Sequence, residues 1–168
     1  MNLGDRRLAR NVSLEGDSLI VDGETISRSP PGVRHEKICA HLHAKVTTSL
    51  VGVSVSRLLA PRSFVQLKVG TMLRPDLALV TAATGKIWLA AEIVSSDDHR
   101  TDTVTKKAIY EDLNLPRLWM IDPRYDNVEI YHGSQYGLSL KGILASREIL
   151  TESLLPGFAI VIKDLFEA

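Results

Sequence analysis

Asp76, Glu92 and Lys106 are the residues of this 168-residue chain whose types and spacing suit chemistry. Asp76 stands in Arg74-Pro75-Asp76-Leu77-Ala78-Leu79-Val80, and Glu92 in Trp88-Leu89-Ala90-Ala91-Glu92-Ile93-Val94-Ser95. Lys106 follows in Asp102-Thr103-Val104-Thr105-Lys106-Lys107-Ala108-Ile109-Tyr110. Two carboxylates and a lysine are the minimum set for metal-assisted cleavage of a phosphodiester. The carboxylates suit a hard divalent cation, Mg²⁺ first and Mn²⁺ second, with water completing its shell. Such an ion activates a water and stabilises charge on phosphate oxygens. A lysine beside it orients that water or neutralises the developing charge. The same three groups also make a buried ion-pair network with no turnover, and residue types alone leave both readings open.

The elements that must position these groups are two strands and a helix. Alternate residues of a strand share a face. Asp76 therefore lies with Ala78 and Val80, and Glu92 with Trp88, Ala90 and Val94. Both strands are apolar on their two sides, the pattern of a sheet buried on both faces. A buried carboxylate needs a cation, a donor or a metal to offset its lost hydration. The spacing predicts a helix over about 98–113, with Asp102, Lys106 and Tyr110 in one row at i, i+4 and i+8. Lys106 then points with Ile109 and Leu113, whereas Lys107 shares its sector with Thr103 and Glu111. Lys106 is the lysine expected to turn inward.

Around this stretch the pattern is that of an α/β protein. Residues 19–26 read as two short strands about an Asp22-Gly23 turn. Ser29-Pro30-Pro31-Gly32 punctuates the chain. A helix follows over about 33–50, with Ile38, Leu42, Val46 and Leu50 in one apolar row. Strands are expected over 52–59 and 64–69, then at the two acidic stretches. Pro116 breaks the second helix, and 118–123 reads as a short buried strand. Residues 128–131 and 136–140 read as an antiparallel pair. Near the end, 154–158 reads as a turn, 159–162 as a last strand, and the tail as a short helix. Strands with two principal helices interposed predict a mixed sheet flanked by helices, with additional antiparallel strands. No linker or repeat divides 1–168, so one domain is expected, with 1–13 a loosely docked arm carrying Arg6, Arg7 and Arg10.

Composition narrows the function classes. An apolar fraction of 45% and a charged fraction of 24% are those of an ordinary globular protein. Lysine plus arginine equals aspartate plus glutamate at 20 each, which argues against bulk electrostatic attraction to nucleic acid. Cys39 is the one cysteine, so no disulfide or thiolate zinc cluster forms within the chain. Nothing resembles a signal peptide or a bilayer-spanning run, so a cytoplasmic location is the expectation.

Other residues invite weaker readings. His35, His41 and His43 cannot all converge on one metal from a helix, and Glu36 reads as solvated. Ser95-Ser96-Asp97-Asp98 reads as capping chemistry for the following helix. Arg57, Arg62, Lys68 and Arg74 make either a phosphate-tracking strip or a charged sheet edge. Trp88 and Trp119 read as core.

The order and spacing of these elements resemble the PD-(D/E)XK nuclease superfamily. More narrowly, four segments together are similar to the Uma family of restriction endonucleases. They are Arg-Pro-Asp with its apolar tail, Ala91-Glu92-Ile93-Val94-Ser95, Asp102-x3-Lys106-x3-Tyr110, and Leu118-Trp119-Met120-Ile121-Asp122-Pro123. His35 and Leu155-Pro156-Gly157 extend the likeness over most of the chain. The resemblance implies a restriction-endonuclease-like fold, with Asp76, Glu92 and the backbone carbonyl of Ile93 as metal ligands. It also implies Lys106 as the catalytic lysine, with His35, Asp102 and Tyr110 in support. Val94 departs from the broad superfamily, which keeps its lysine there; in the narrower family the lysine moves to the following helix. The implied activity is metal-dependent endonuclease cleavage of nucleic acid, DNA foremost, by a homodimer. The alternatives are a catalytically silent nuclease-fold module that binds nucleic acid or regulates, and a hydrolase of another phosphate ester.

Overall fold

The computed structural model describes residues 18–95 and 99–167. The arm expected at 1–13 and the capping residues Ser96, Asp97 and Asp98 lie outside them.

The first hairpin forms where the Asp-Gly pair demands it. Strands β1 (Leu19–Val21) and β2 (Glu24–Ile26) flank Asp22 and Gly23, both at positive φ (49° and 84°), which matches the twist of an antiparallel pair. Helix α1 (Val33–Ser49) starts after Gly32 and buries Ile38, Cys39, Leu42 and Val46. Next come β3 (Ser56–Leu58), β4 (Val65–Lys68), β5 (Thr71–Leu73), β6 (Leu77–Thr81) and β7 (Ile87–Ile93). A π-helical segment (Thr101–Lys106) runs straight into α2 (Lys107–Asp112). The chain ends with β8 (Arg117–Asp122), β9 (Asn127–Ser134), β10 (Gly137–Ala145), β11 (Ile149–Glu152), β12 (Leu155–Val161) and α3 (Ile162–Phe166).

Among the described residues the largest sheet has six strands in the order β10-β9-β8-β7-β6-β3. Only β7 and β8 pair in parallel, and the π segment and α2 make the crossover that a parallel pair requires. A four-stranded sheet, β2-β1-β5-β4, and the pair β11-β12 pack beside it. The architecture is the mixed α/β sheet that the sequence pattern predicts.

Strand alternation divides the core into two. Leu77, Leu79, Leu89, Ala91, Ile93, Trp119 and Ile121 face α1, β12 and α3, where Trp119 stacks on Phe158 at 5.2 Å. Ala90, Val94, Leu118 and Met120 face the small sheet and α2, against Leu19, Leu73 and Tyr110. Glu92 points with this second set. Trp88 does not join it, contrary to strict alternation. A bulge opposite Leu79 and Val80 turns Trp88 toward the first core, where its indole nitrogen donates to Ser56 Oγ at 3.1 Å.

Three expectations need correction. The strand expected over 52–59 shortens to β3, because 50–52 still turn off the end of α1. The start of β12 occupies ground expected to be a turn: Leu155, Pro156 and Gly157 lie in β12, with Gly157 close against the Ser49 carbonyl, and β11, paired with it, was not expected at all. The helix expected over 98–113 is interrupted by π geometry over Thr101–Lys106, with α-helical residues before it at 99–100 and after it in α2.

One glycine is fixed by close approach. A side-chain carbon on Gly133 of β9 would collide with the Leu115 carbonyl, and the Gly133 amide donates to the Pro116 carbonyl at 3.0 Å.

Candidate functional site

The two carboxylates meet because of sheet register. Leu77 of β6 pairs with Ala91 of β7, so one step further Asp76 falls opposite Glu92. Asp76 Oδ2 accepts from the Ile93 amide at 2.8 Å, which anchors the first carboxylate on the peptide immediately after the second. Both side chains are buried.

From the other side, α1 closes on Asp76 with one row of side chains. His35 Nε2 lies 2.7 Å from Asp76 Oδ1, and His43 Nε2 donates to the Asp76 carbonyl at 2.7 Å. Between them Cys39 Sγ lies 3.5 Å from that carbonyl. The i, i+4, i+8 spacing of a helix puts these three in one row. Two of the three histidines thus converge, but on a carboxylate residue rather than on a metal. His41 stays apart, its Nδ1 buried without a hydrogen-bond partner. Burial pushes the Cys39 thiol up to about 12, with the Asp76 charge adding to it, so the thiol stays protonated.

The crossover element supplies the cation. Lys106 has a side chain 4% exposed, and its Nζ donates to Glu92 Oε2 at 2.8 Å and contacts Asp102 Oδ1 at 3.1 Å. Tyr110 donates to the other Glu92 oxygen at 2.6 Å. Asp102 and Lys106, four residues apart, meet on one side of the π segment. Lys107 turns outward, its Nζ 3.2 Å from the Tyr131 hydroxyl. The inward choice of Lys106 over Lys107 agrees with the helical-wheel expectation.

Asp102 is itself held twice. Arg28, in the segment joining β2 to α1, grips it with Nη1 on Oδ1 at 2.8 Å and Nη2 on Oδ2 at 2.9 Å. The Ser95 amide also donates to Oδ2 at 2.8 Å. Ser95 thus serves Asp102 through its backbone.

Electrostatics separate the two opening carboxylates. Burial alone would raise Asp76, but the His35 hydrogen bond and charge, Lys106 and the Ile93 amide outweigh it and hold this carboxyl below its usual range. Glu92 goes the other way. Burial, reinforced by the Asp76 and Asp102 charges, outweighs Lys106 and pushes its carboxyl up to about 7. Burial opposes the charged form of Lys106, yet Glu92, Asp102 and Asp76 together raise it above the ordinary lysine value, so it stays an ammonium. Burial and the Glu92 charge raise Tyr110, which therefore only donates. Three carboxylates thus share Lys106, Arg28 and, when it is protonated, His35.

A proton on Glu92 or a bound cation would lower the repulsion that Asp76 and Asp102 exert on it. The donor set is all oxygen and each carboxylate oxygen retains lone pairs beyond the bond it accepts, so the residues fit a hard divalent ion. No group of three or more His, Cys, Asp or Glu able to hold a metal occurs among the described residues. Two carboxylates are sufficient for Mg²⁺, which keeps several waters and is completed by substrate phosphate.

The other candidates disperse. Lys68 pairs with Asp22 at 3.2 Å, Arg62 with Glu36 at 2.8 Å, and Arg74 stacks on the Phe64 ring at 3.8 Å. Arg57 lies on β3, at an edge of the six-stranded sheet. Beside the carboxylates a cleft of about 370 Å³ is lined by Pro30, Gly32, Arg34, His35, Val94 and Arg124, among others.

Comparison with known proteins now bears on this geometry. A family model described as "Uma2: Putative restriction endonuclease" matches residues 15–163. The chain belongs to the Uma2 family. A solved structure titled as that of a "putative nuclease belonging to DUF820" from Anabaena variabilis superposes on this Uma2 chain with a TM-score of 0.74. It is 17% identical and covers 89% of each chain, a likeness of fold. No curated protein matches.

Two residues of this cluster were not foreseen. Arg28 sits in Ser27-Arg28-Ser29-Pro30, where no periodicity marks it, and it reaches Asp102 across 74 residues of sequence. His43 carried a signal, the eight-residue interval from His35, but that interval gains meaning only once β6 lies across the helix.

Proposed function

We propose that this Uma2 chain is a metal-dependent endonuclease that hydrolyses nucleic acid phosphodiesters, DNA foremost, with 1–168 acting as one nuclease domain. The observation that carries the proposal is the buried cluster of Asp76, Glu92 and Lys106 on adjacent elements, with Asp76 tied to the Ile93 amide. Asp76, Glu92 and the Ile93 carbonyl would hold Mg²⁺, with Mn²⁺ the second choice, and the ion would supply Lewis acidity and lower the pKa of a bound water. His35 and the Ile93 amide keep Asp76 ionised and fixed in orientation. Tyr110 orients Glu92. Lys106, held as an ammonium, is no general base; it offsets charge developing on the phosphate oxygens. Attack of water on phosphorus breaks the bond to the 3′ oxygen, leaving a 5′-phosphate and a 3′-hydroxyl. Cutting two strands takes two copies of a chain this small, so we infer a homodimer.

A second reading has an observation in its favour. Each oxygen of Asp76 and Glu92 already accepts a hydrogen bond within the protein, as a closed ion-pair network requires. On that reading the protein is a silent nuclease-fold module that binds nucleic acid or regulates. Supercoiled plasmid incubated with Mg²⁺ or Mn²⁺ distinguishes the two. Nicking that is lost in Glu92→Gln and in Lys106→Ala supports the nuclease. Binding without cleavage with either ion supports the module. Among the described residues no helix is long and apolar enough to cross a membrane, and we place the activity in the cytoplasm.

A further inference from the structure

Resting on the nuclease reading, we propose that Arg28 is a positioning residue. It neutralises Asp102, so that Asp102 steers Lys106 onto Glu92 instead of competing for it or entering the metal shell.

The argument begins from where the lysine comes. Val94 occupies the strand position at which the superfamily resemblance expects a lysine, so the ammonium arrives from the π segment. It arrives with Asp102, four residues earlier and on the same side, as a third buried carboxylate. Left unbalanced, Asp102 would be an anion near Lys106, free to pull Nζ from Glu92 or to bind a cation itself. Arg28 prevents this. Its guanidinium spans both Asp102 oxygens in the bidentate geometry that matches a carboxylate, and its side chain is 4% exposed, so little water screens the pair. The Ser95 amide takes a further lone pair of Oδ2. What remains toward Lys106 is one oxygen at 3.1 Å, longer than the 2.8 Å bond to Glu92. Asp102 thus works as a neutralised rail, and the site keeps the charge of two carboxylates and one lysine.

Lysine at position 28 restores the charge but not the planar fork, so Arg28→Lys tests charge against geometry. Four proteins are compared with wild type: Arg28→Lys, Arg28→Gln, Asp102→Asn and the double variant Arg28→Gln/Asp102→Asn. The double variant removes both buried charges and guards against an Arg28→Gln protein that does not fold. Readouts are Mn²⁺ binding by calorimetry, the Lys106 ammonium cross-peak in a ¹H–¹⁵N spectrum (assigned with Lys106→Arg), and kcat and KM for plasmid nicking.

The expected result for Arg28→Gln is loss of the protected Lys106 cross-peak and a fall in kcat of at least tenfold, with KM unchanged and Mn²⁺ binding kept or tightened. Arg28→Lys recovers part of kcat, and the double variant exceeds Arg28→Gln in both cross-peak and kcat. The proposal is overturned if folded Arg28→Gln keeps the cross-peak and kcat of wild type. It is equally overturned if the double variant is no better than Arg28→Gln, or if Mn²⁺ binding falls in step with kcat. Should wild type bind Mn²⁺ yet cleave nothing, the nuclease reading fails, while the cross-peak and Mn²⁺ arms still decide the role of Arg28.

Discussion

On the metal-dependent reading, Glu92 makes metal binding a proton-exchange event, and pH is the perturbation that exposes it. Burial with two neighbouring carboxylates moves its carboxyl from 4.5 to about 7. A cation that binds the ionised form must displace that proton. At about pH 6 roughly a tenth of the sites are ionised, and at about pH 8 roughly nine-tenths, so apparent affinity should rise about tenfold between them and then level off. Asp76, held below its usual range, stays ionised throughout and adds no slope. Lys106, raised, stays protonated throughout. The same shift has a stability signature of opposite sign. In the metal-free protein the folded state retains a proton that the unfolded chain has released between 4.5 and about 7. Stability therefore falls as pH rises through that window, by up to about 3 kcal/mol. Saturating Mn²⁺ should flatten the trend, because Glu92 is then ionised in the folded and the unfolded states alike. Calorimetric titration with Mn²⁺ in two buffers of different ionisation enthalpy counts the protons, and melting curves with and without the ion follow stability. An affinity flat from about pH 6 to 8, with no proton released, would refute the electrostatic account of Glu92.

Three further outcomes follow from the geometry. Lys106→Ala should abolish nicking and cost about 3–5 kcal/mol, because Glu92 and Asp102 lose a buried partner. Lys107→Ala, which loses its contact with the Tyr131 hydroxyl, should stay within about 1 kcal/mol of wild type and keep activity; chemical denaturation and plasmid assays compare the two. Gly133→Ala should destabilise by about 1–3 kcal/mol, since the new methyl meets the Leu115 backbone, which cannot rotate away. A melting temperature unchanged in Gly133→Ala would show that β9 and the 114–116 turn separate more easily than their packing implies.

The carboxylates and the lysine were legible because strand alternation and helical rows are local properties of sequence. Leu77, Leu79, Leu89, Ala91 and Ile93 fall on one face as expected, and Lys106 faces inward as expected. The bulge that turns Trp88 away from Glu92 was not legible, since it depends on how β6 and β7 pair. Strand β11 was missed because Ile149 and Leu150 lie among polar residues and become a strand by pairing with β12. The π geometry was missed because the 3.6-residue period fits Asp102, Lys106 and Tyr110 closely enough to hide it. Arg28 shows the limit most clearly: a single arginine in a loop has no period, and its partner is set by tertiary structure alone.

The π segment bears on how such a site tolerates change in chain length. An i→i+5 turn accommodates one residue more than an α-turn. Deleting a single residue between Thr101 and Lys106 would let the stretch relax into a regular α-helix continuous with α2, and backbone bonding would improve. The same deletion would swing Asp102 and Ser95 out of register with Lys106 and unseat Arg28. In this stretch selection for a smoother helix and selection for the buried charge cluster pull in opposite directions, and an indel costs more here than most point substitutions.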